Sequence, residues 1–122
     1  MNIRVKTSNY KLTPESADYL NQRLKALAKF IGKDEDIARC EVEIGRAQGH
    51  SEHGNVWRAE INLIHAGITL RAEAVEESVN AAIDEVKDDI IRQLKRERRL
   101  HIRLARKGGA WLKRTMRFEN EK

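Results

Sequence analysis

The sequence predicts an α+β fold, a β-α-β-β-β-α two-layer sandwich with two helices packed on one face of a four-stranded sheet. Three observations predict it. Two segments carry apolar residues at three- and four-residue intervals, which is the pattern of amphipathic helices. Three consecutive segments between them alternate apolar and polar residues, as strands with one buried face do. A further short alternating segment precedes the first helix. At 122 residues the chain is long enough for one domain with a real core, but not for two.

Taken in order, Ile3 and Val5 alternate with Arg4 and Lys6, predicting a short half-buried strand. Leu12-Thr13-Pro14-Glu15 then announces a helix. Thr13 suits the N-cap, Pro14 the first helical position, and Glu15 the positive end of the dipole. Ala17, Leu20, Leu24, Leu27, Ala28 and Ile31 keep helical spacing, and Gly32 is placed to end the element. Lys25 and Lys29, four apart, lie off that apolar stripe.

Cys40, Val42 and Ile44 alternate with Arg39, Glu41 and Glu43 to give a second strand. Residues 47–55 read as a polar, glycine-containing loop. Trp57, Ala59, Ile61 and Leu63 form the inward set of a third strand. A tight connection at His65-Ala66-Gly67 leads to a fourth, with Ile68, Leu70, Ala72 and Ala74 inward. The second helix is expected from Glu76 to about Arg99. Its apolar stripe is Val79, Ala82, Ile83, Val86, Ile90 and Leu94. Gly108-Gly109 is expected to break any continuation, leaving residues 100–122 as a flexible basic extension of a domain spanning 1–99.

Charge is the strongest functional signal. Between Arg92 and Arg117 there are 11 Lys/Arg and a single acid, Glu97, a net of +10. The remainder carries 13 basic and 18 acidic residues, a net of −5. Dipole matching at a helix C-terminus needs one or two cations, not this many. On a helical wheel Arg92, Lys95, Arg96 and Arg99 fall together, opposite the apolar stripe. An acidic body with a cationic end points to a polyanion, most simply a nucleic acid. The extension adds Arg103, Arg106 and Lys107, and interleaves cations with Trp111 and Phe118, a mixture suited to irregular RNA.

Other chemistries find less support. Cys40, on the apolar side of its strand, suits a small core residue better than a reactive thiolate. His50, Glu52 and His53, with Cys40 and His65, lack the paired spacing of zinc sites. Asp84, Asp88 and Asp89 share a helix with Lys87 and Arg92, so intrahelical salt bridges explain them better than acid–base catalysis. The expectation is a non-enzyme with no cofactor, no metal and no small-molecule substrate. No apolar run resembles a signal peptide or reaches transmembrane length, and the helical stripe is committed to the sheet. A cytoplasmic protein without membrane affinity, monomeric when free, is expected.

Several stretches together resemble the ribosome hibernation-promoting factor family, which includes the ribosome-associated inhibitor and the sigma-54 modulation proteins. They are Leu12-Thr13-Pro14-Glu15, Leu27-Ala28-Lys29-Phe30-Ile31, and Ile68-Thr69-Leu70-Arg71-Ala72-Glu73-Ala74. The clearest is Glu76-Glu77-Ser78-Val79-Asn80-Ala81-Ala82-Ile83-Asp84, followed by Val86 and Arg92-Gln93-Leu94-Lys95. The resemblance covers residues 1–99 and is to the short form, because nothing after Arg99 matches the separate C-terminal domain of long members. It implies a domain arranged like double-stranded-RNA-binding domains. It also implies binding to the small ribosomal subunit, through rRNA, in the channel used by mRNA and tRNA. By position, the RNA-facing residues it implies are Lys25, Lys29, Lys87, Arg92, Lys95, Arg96 and Arg99. A general RNA-binding protein without ribosome preference is the alternative.

Overall fold

A computed structural model describes residues 1–47 and 56–120, and their side chains except at positions 34–35 and 107–120. The predicted element order is the observed one. Strand β1 (Asn2–Ser8) is followed by helix α1 (Pro14–Ile31) and a short 3₁₀ segment (Gly32–Ile37). Strands β2 (Arg39–Arg46), β3 (Trp57–His65) and β4 (Ile68–Glu76) then lead to helix α2 (Val79–Asn120). The chain divides into two units, Met1–Arg92 and Gln93–Lys122, and α2 runs through both.

Local chemistry sets the bounds of α1 as the sequence predicts. Thr13 is extended, and its side chain accepts from the Ser16 N–H at 3.1 Å. Pro14 opens the helix, where its missing N–H costs no hydrogen bond. Gly32, at φ +77°, closes it and donates its N–H to the Ala28 carbonyl.

The sheet order is β1-β2-β3-β4. Strand β1 runs parallel to β2, with α1 as the crossover; the other pairings are antiparallel. The register lines up apolar rows on one face: Ile3–Cys40–Leu63–Leu70, Val5–Val42–Ile61–Ala72 and Thr7–Ile44–Ala59–Ala74. From Cys40 onward these positions are buried, as are Leu20, Leu24, Leu27 and Ile31 of α1. Val79, Ala82, Ile83, Val86 and Ile90 of α2 complete the core of the first unit. At edge strand β1 the expectation of a half-buried strand needs correction. Ile3 and Val5 are 42% and 41% exposed, although they stand in register with buried residues of β2. Edge position alone does not account for it, since Leu70, Ala72 and Ala74 of the other edge strand, β4, are buried.

Two backbone features hold the sheet's geometry. The β3–β4 connection is a two-residue hairpin with His65 opposite Ile68. Ala66 and Gly67 both have positive φ, 51° and 77°, as a type I′ turn demands. Gly45 lies so close to β1 that a Cβ there would stand 2.6 Å from the Ser8 carbonyl oxygen. A side chain at that position would push the parallel pair apart.

Helix α2 departs from expectation at both ends. Strand β4 holds Glu76, and the helix starts at Val79 behind Ser78, whose Oγ accepts from the Ala81 N–H at 3.1 Å. Gly108-Gly109 does not break it, and the helix continues to Asn120. Each glycine costs about 1 kcal/mol relative to alanine. Arg106, Lys107, Ala110 and Leu112 around them are strong helix formers.

Candidate nucleic-acid interface

The buried stripes dictate which helical positions remain for a partner. On α1, Lys25 and Lys29 are both exposed, one turn apart. Arg23, two residues earlier, is occupied: its Nε–H donates to Asp84 Oδ1 at 2.8 Å, and its Nη2 donates to the Tyr19 hydroxyl at 2.9 Å. The guanidinium also stacks 4.2 Å from the Tyr19 ring centroid.

Residues 79–92 of α2 are more acidic than basic at their surface. Lys87, implied by the resemblance as an RNA contact, has a side chain only 17% exposed, with Nζ 2.6 Å from Asp88 Oδ1. Arg92 is exposed, but its Nη2 lies 3.1 Å from Glu85 Oε1 and 3.9 Å from Asp89 Oδ1. Asp84 makes neither of the intrahelical bridges expected for it. It accepts instead from Tyr19 and Arg23 of α1. Burial pushes its pKa up, but the Tyr19 and Arg23 hydrogen bonds, with the nearby charges of Arg23 and Lys87, hold it below the ordinary carboxylate value.

Within the second unit, residues 93–106 present cations densely. Lys95, Arg96, Arg99, Arg103 and Arg106 are all exposed, spaced so that they recur on one side of a helix. Arg98 is exposed as well, and the local count of cations was signal enough to include it. Lys107 belongs to α2, but its side chain lies outside the described residues, as do those of Trp111 and Phe118.

The open face of the sheet offers no comparable excess. Arg58 is wedged among Glu60, Glu73 at 3.0 Å and Glu43 at 3.7 Å. Glu60, the one buried charged residue among those described, accepts from Arg58, from Asn62 at 2.9 Å and from Arg71 at 3.2 Å. Burial raises its pKa, yet those donors in sum keep it lowered, so it is a carboxylate at neutral pH. A face neutralised by its own carboxylates has little field left for a polyanion.

Cys40 is buried, and burial pushes its thiol up to about 11, so the thiolate is scarce at neutral pH. No group of three His, Cys, Asp or Glu among the described residues is placed to hold a metal ion. His50, Glu52 and His53 lie outside the described residues.

Comparison with known proteins matches residues 3–101 to the family model described as sigma 54 modulation protein / S30EA ribosomal protein. The chain belongs to this family. Among solved structures, the S30EA fold recurs in the N-terminal domain of Protein Y from Thermus thermophilus. That domain shares 28% identity over 79% of this chain and 98% of its own, with a TM-score of 0.65. A ribosomal subunit interface protein from Coxiella burnetii shares the fold at 14% identity, over 80% of this chain and 98% of its own, also at a TM-score of 0.65. The match runs through the sheet and α1, and covers α2 only as far as His101, two residues beyond Arg99. It therefore includes Lys25, Lys29, Lys95, Arg96 and Arg99, and leaves Arg103, Arg106 and Lys107 outside.

Proposed function

We propose that this S30EA-family chain is a ribosome hibernation factor that occupies the mRNA/tRNA channel of the small subunit and blocks initiation sterically, without catalysis. The observation that carries this reading is the set of exposed cations on helices: Lys25 and Lys29 on α1, and Lys95, Arg96, Arg99, Arg103 and Arg106 on α2. They stand in a chain whose open sheet face is charge-compensated. Membership in a family described by its S30EA ribosomal protein members supports rRNA as the polyanion. The resemblance to a Protein Y domain and to a protein titled for the ribosomal subunit interface points the same way.

Phosphate contact is the natural role for these residues. Folded RNA hides its base edges in a deep, narrow groove, so shape and backbone charge dominate recognition. Each cation seated on a phosphate releases condensed counterions. Six such contacts lower affinity about a thousandfold between about 50 and 200 mM salt on the duplex scale.

The test is competition on isolated small subunits. The protein is expected to exclude initiator tRNA and to co-sediment with the subunit in a salt-dependent way. Simultaneous binding of both ligands defeats the steric mechanism. Equal affinity for free duplex RNA makes the chain a general RNA binder instead.

A further inference from the structure

Burial along α2 ends, among the described residues, at Leu94. Beyond it Leu100, Ile102 and Leu104 are 39%, 48% and 42% exposed. They stand among Lys95, Arg96, Arg98, Arg99, Arg103 and Arg106, with Glu97 the single acid between 93 and 106. In sequence the apolar spacing continues, since Trp111, Leu112 and Phe118 follow Leu104 at seven, eight and fourteen residues. Lys113, Arg114 and Arg117 lie between them. Phosphate contacts account for the cations and leave the leucines without a role.

Two occupants compete for an amphipathic cationic helix of this kind. A second copy of the same segment is disfavoured. Residues 93–122 carry 11 Lys/Arg against 3 acids, so two such segments repel. The heptad through Leu104, Trp111 and Phe118 would also fill its companion layer with His101, Gly108 and Thr115, a poor coiled-coil seam. An anionic bilayer surface meets both needs, with headgroup charge for the cations and an acyl boundary for the leucines. No described helix is long and apolar enough to cross a membrane, which leaves a position in the interface plane.

We propose that α2 from Lys95 onward is a peripheral membrane-binding helix that engages anionic lipid through its arginines and Leu100 and Leu104. This goes beyond the ribosomal reading and does not depend on it. It also departs from the expectation of no membrane affinity, which weighed only the stripe from Val79 to Leu94 and not the exposed Leu100 and Leu104.

The experiment is vesicle flotation of the full chain, with phosphatidylglycerol/phosphatidylcholine vesicles beside vesicles of phosphatidylcholine alone. The expected result is flotation with the anionic vesicles only. Leu100→Asn/Leu104→Asn, which keeps every charge, is expected to weaken it about tenfold or more while duplex-RNA affinity stays unchanged. Circular dichroism of the variant confirms that α2 persists. Absence of flotation overturns the proposal, and so does flotation undiminished in the double variant, which is charge attraction alone. An equal loss on RNA overturns it too, by assigning the leucines to the nucleic acid.

Discussion

Arg23 on α1 donates its Nε–H to Asp84 Oδ1 on α2 at 2.8 Å, and the Tyr19 hydroxyl donates to the other oxygen of the same carboxylate. Together with Ser16 and Asn80, 3.3 Å apart, this clasp fastens the two helices to each other. The pair is partly exposed, so solvent screens it. Asp84→Asn is expected to lower stability by about 1–2 kcal/mol at neutral pH, measured by urea unfolding. Asp84 has a lowered folded pKa, so its contribution is complete above the ordinary carboxylate value and is lost as pH falls through the folded one. The gap between wild type and variant should therefore close in acid, below about pH 4.

Ala66 occupies a left-handed conformation, φ 51°, that costs an L-residue about 1 kcal/mol or more. Ala66→Gly removes that strain and adds some freedom to the unfolded chain. A net gain of about 0.5–1 kcal/mol in thermal or urea unfolding is expected. A loss would show that the hairpin tolerates Ala66 without strain.

Gly45→Ala places a methyl 2.6 Å from the Ser8 carbonyl oxygen, a backbone atom that cannot rotate away. The parallel β1–β2 pairing must open to accept it. A loss of about 2 kcal/mol or more is expected, with faster amide exchange in β1 than in β3.

The cations are not equivalent. Lys87 is largely covered and held by Asp88, whereas Arg96 is exposed. Lys87→Gln is expected to leave the salt dependence of small-subunit binding unchanged, and Arg96→Gln to reduce its slope by about one. Reversal of three charges, Arg96→Glu/Arg99→Glu/Arg103→Glu, is expected to abolish binding at physiological salt with the melting curve preserved. The reverse ranking of Lys87 and Arg96 would move the interface onto the first half of α2.

Alternation, helical spacing and caps are local quantities, and so the order of elements, the ends of α1, the hairpin at Ala66-Gly67 and the inward residues of each strand were legible without coordinates. The cationic character of α2 was legible for the same reason, because eleven charges in one stretch need no partner to be counted. What only the tertiary structure decided is which charges are already spoken for. Asp84 has Lys87 three residues away in sequence, yet its partners are Arg23, 61 positions distant, and Tyr19, 65. No periodicity reports such pairings, which depend on how two helices settle over a shared core. Likewise Val5 and Val42 share an apolar row and the same alternation, yet Val5 is exposed and Val42 buried. Burial follows from what lies on every side of a residue, and a linear pattern records neighbours along one direction alone.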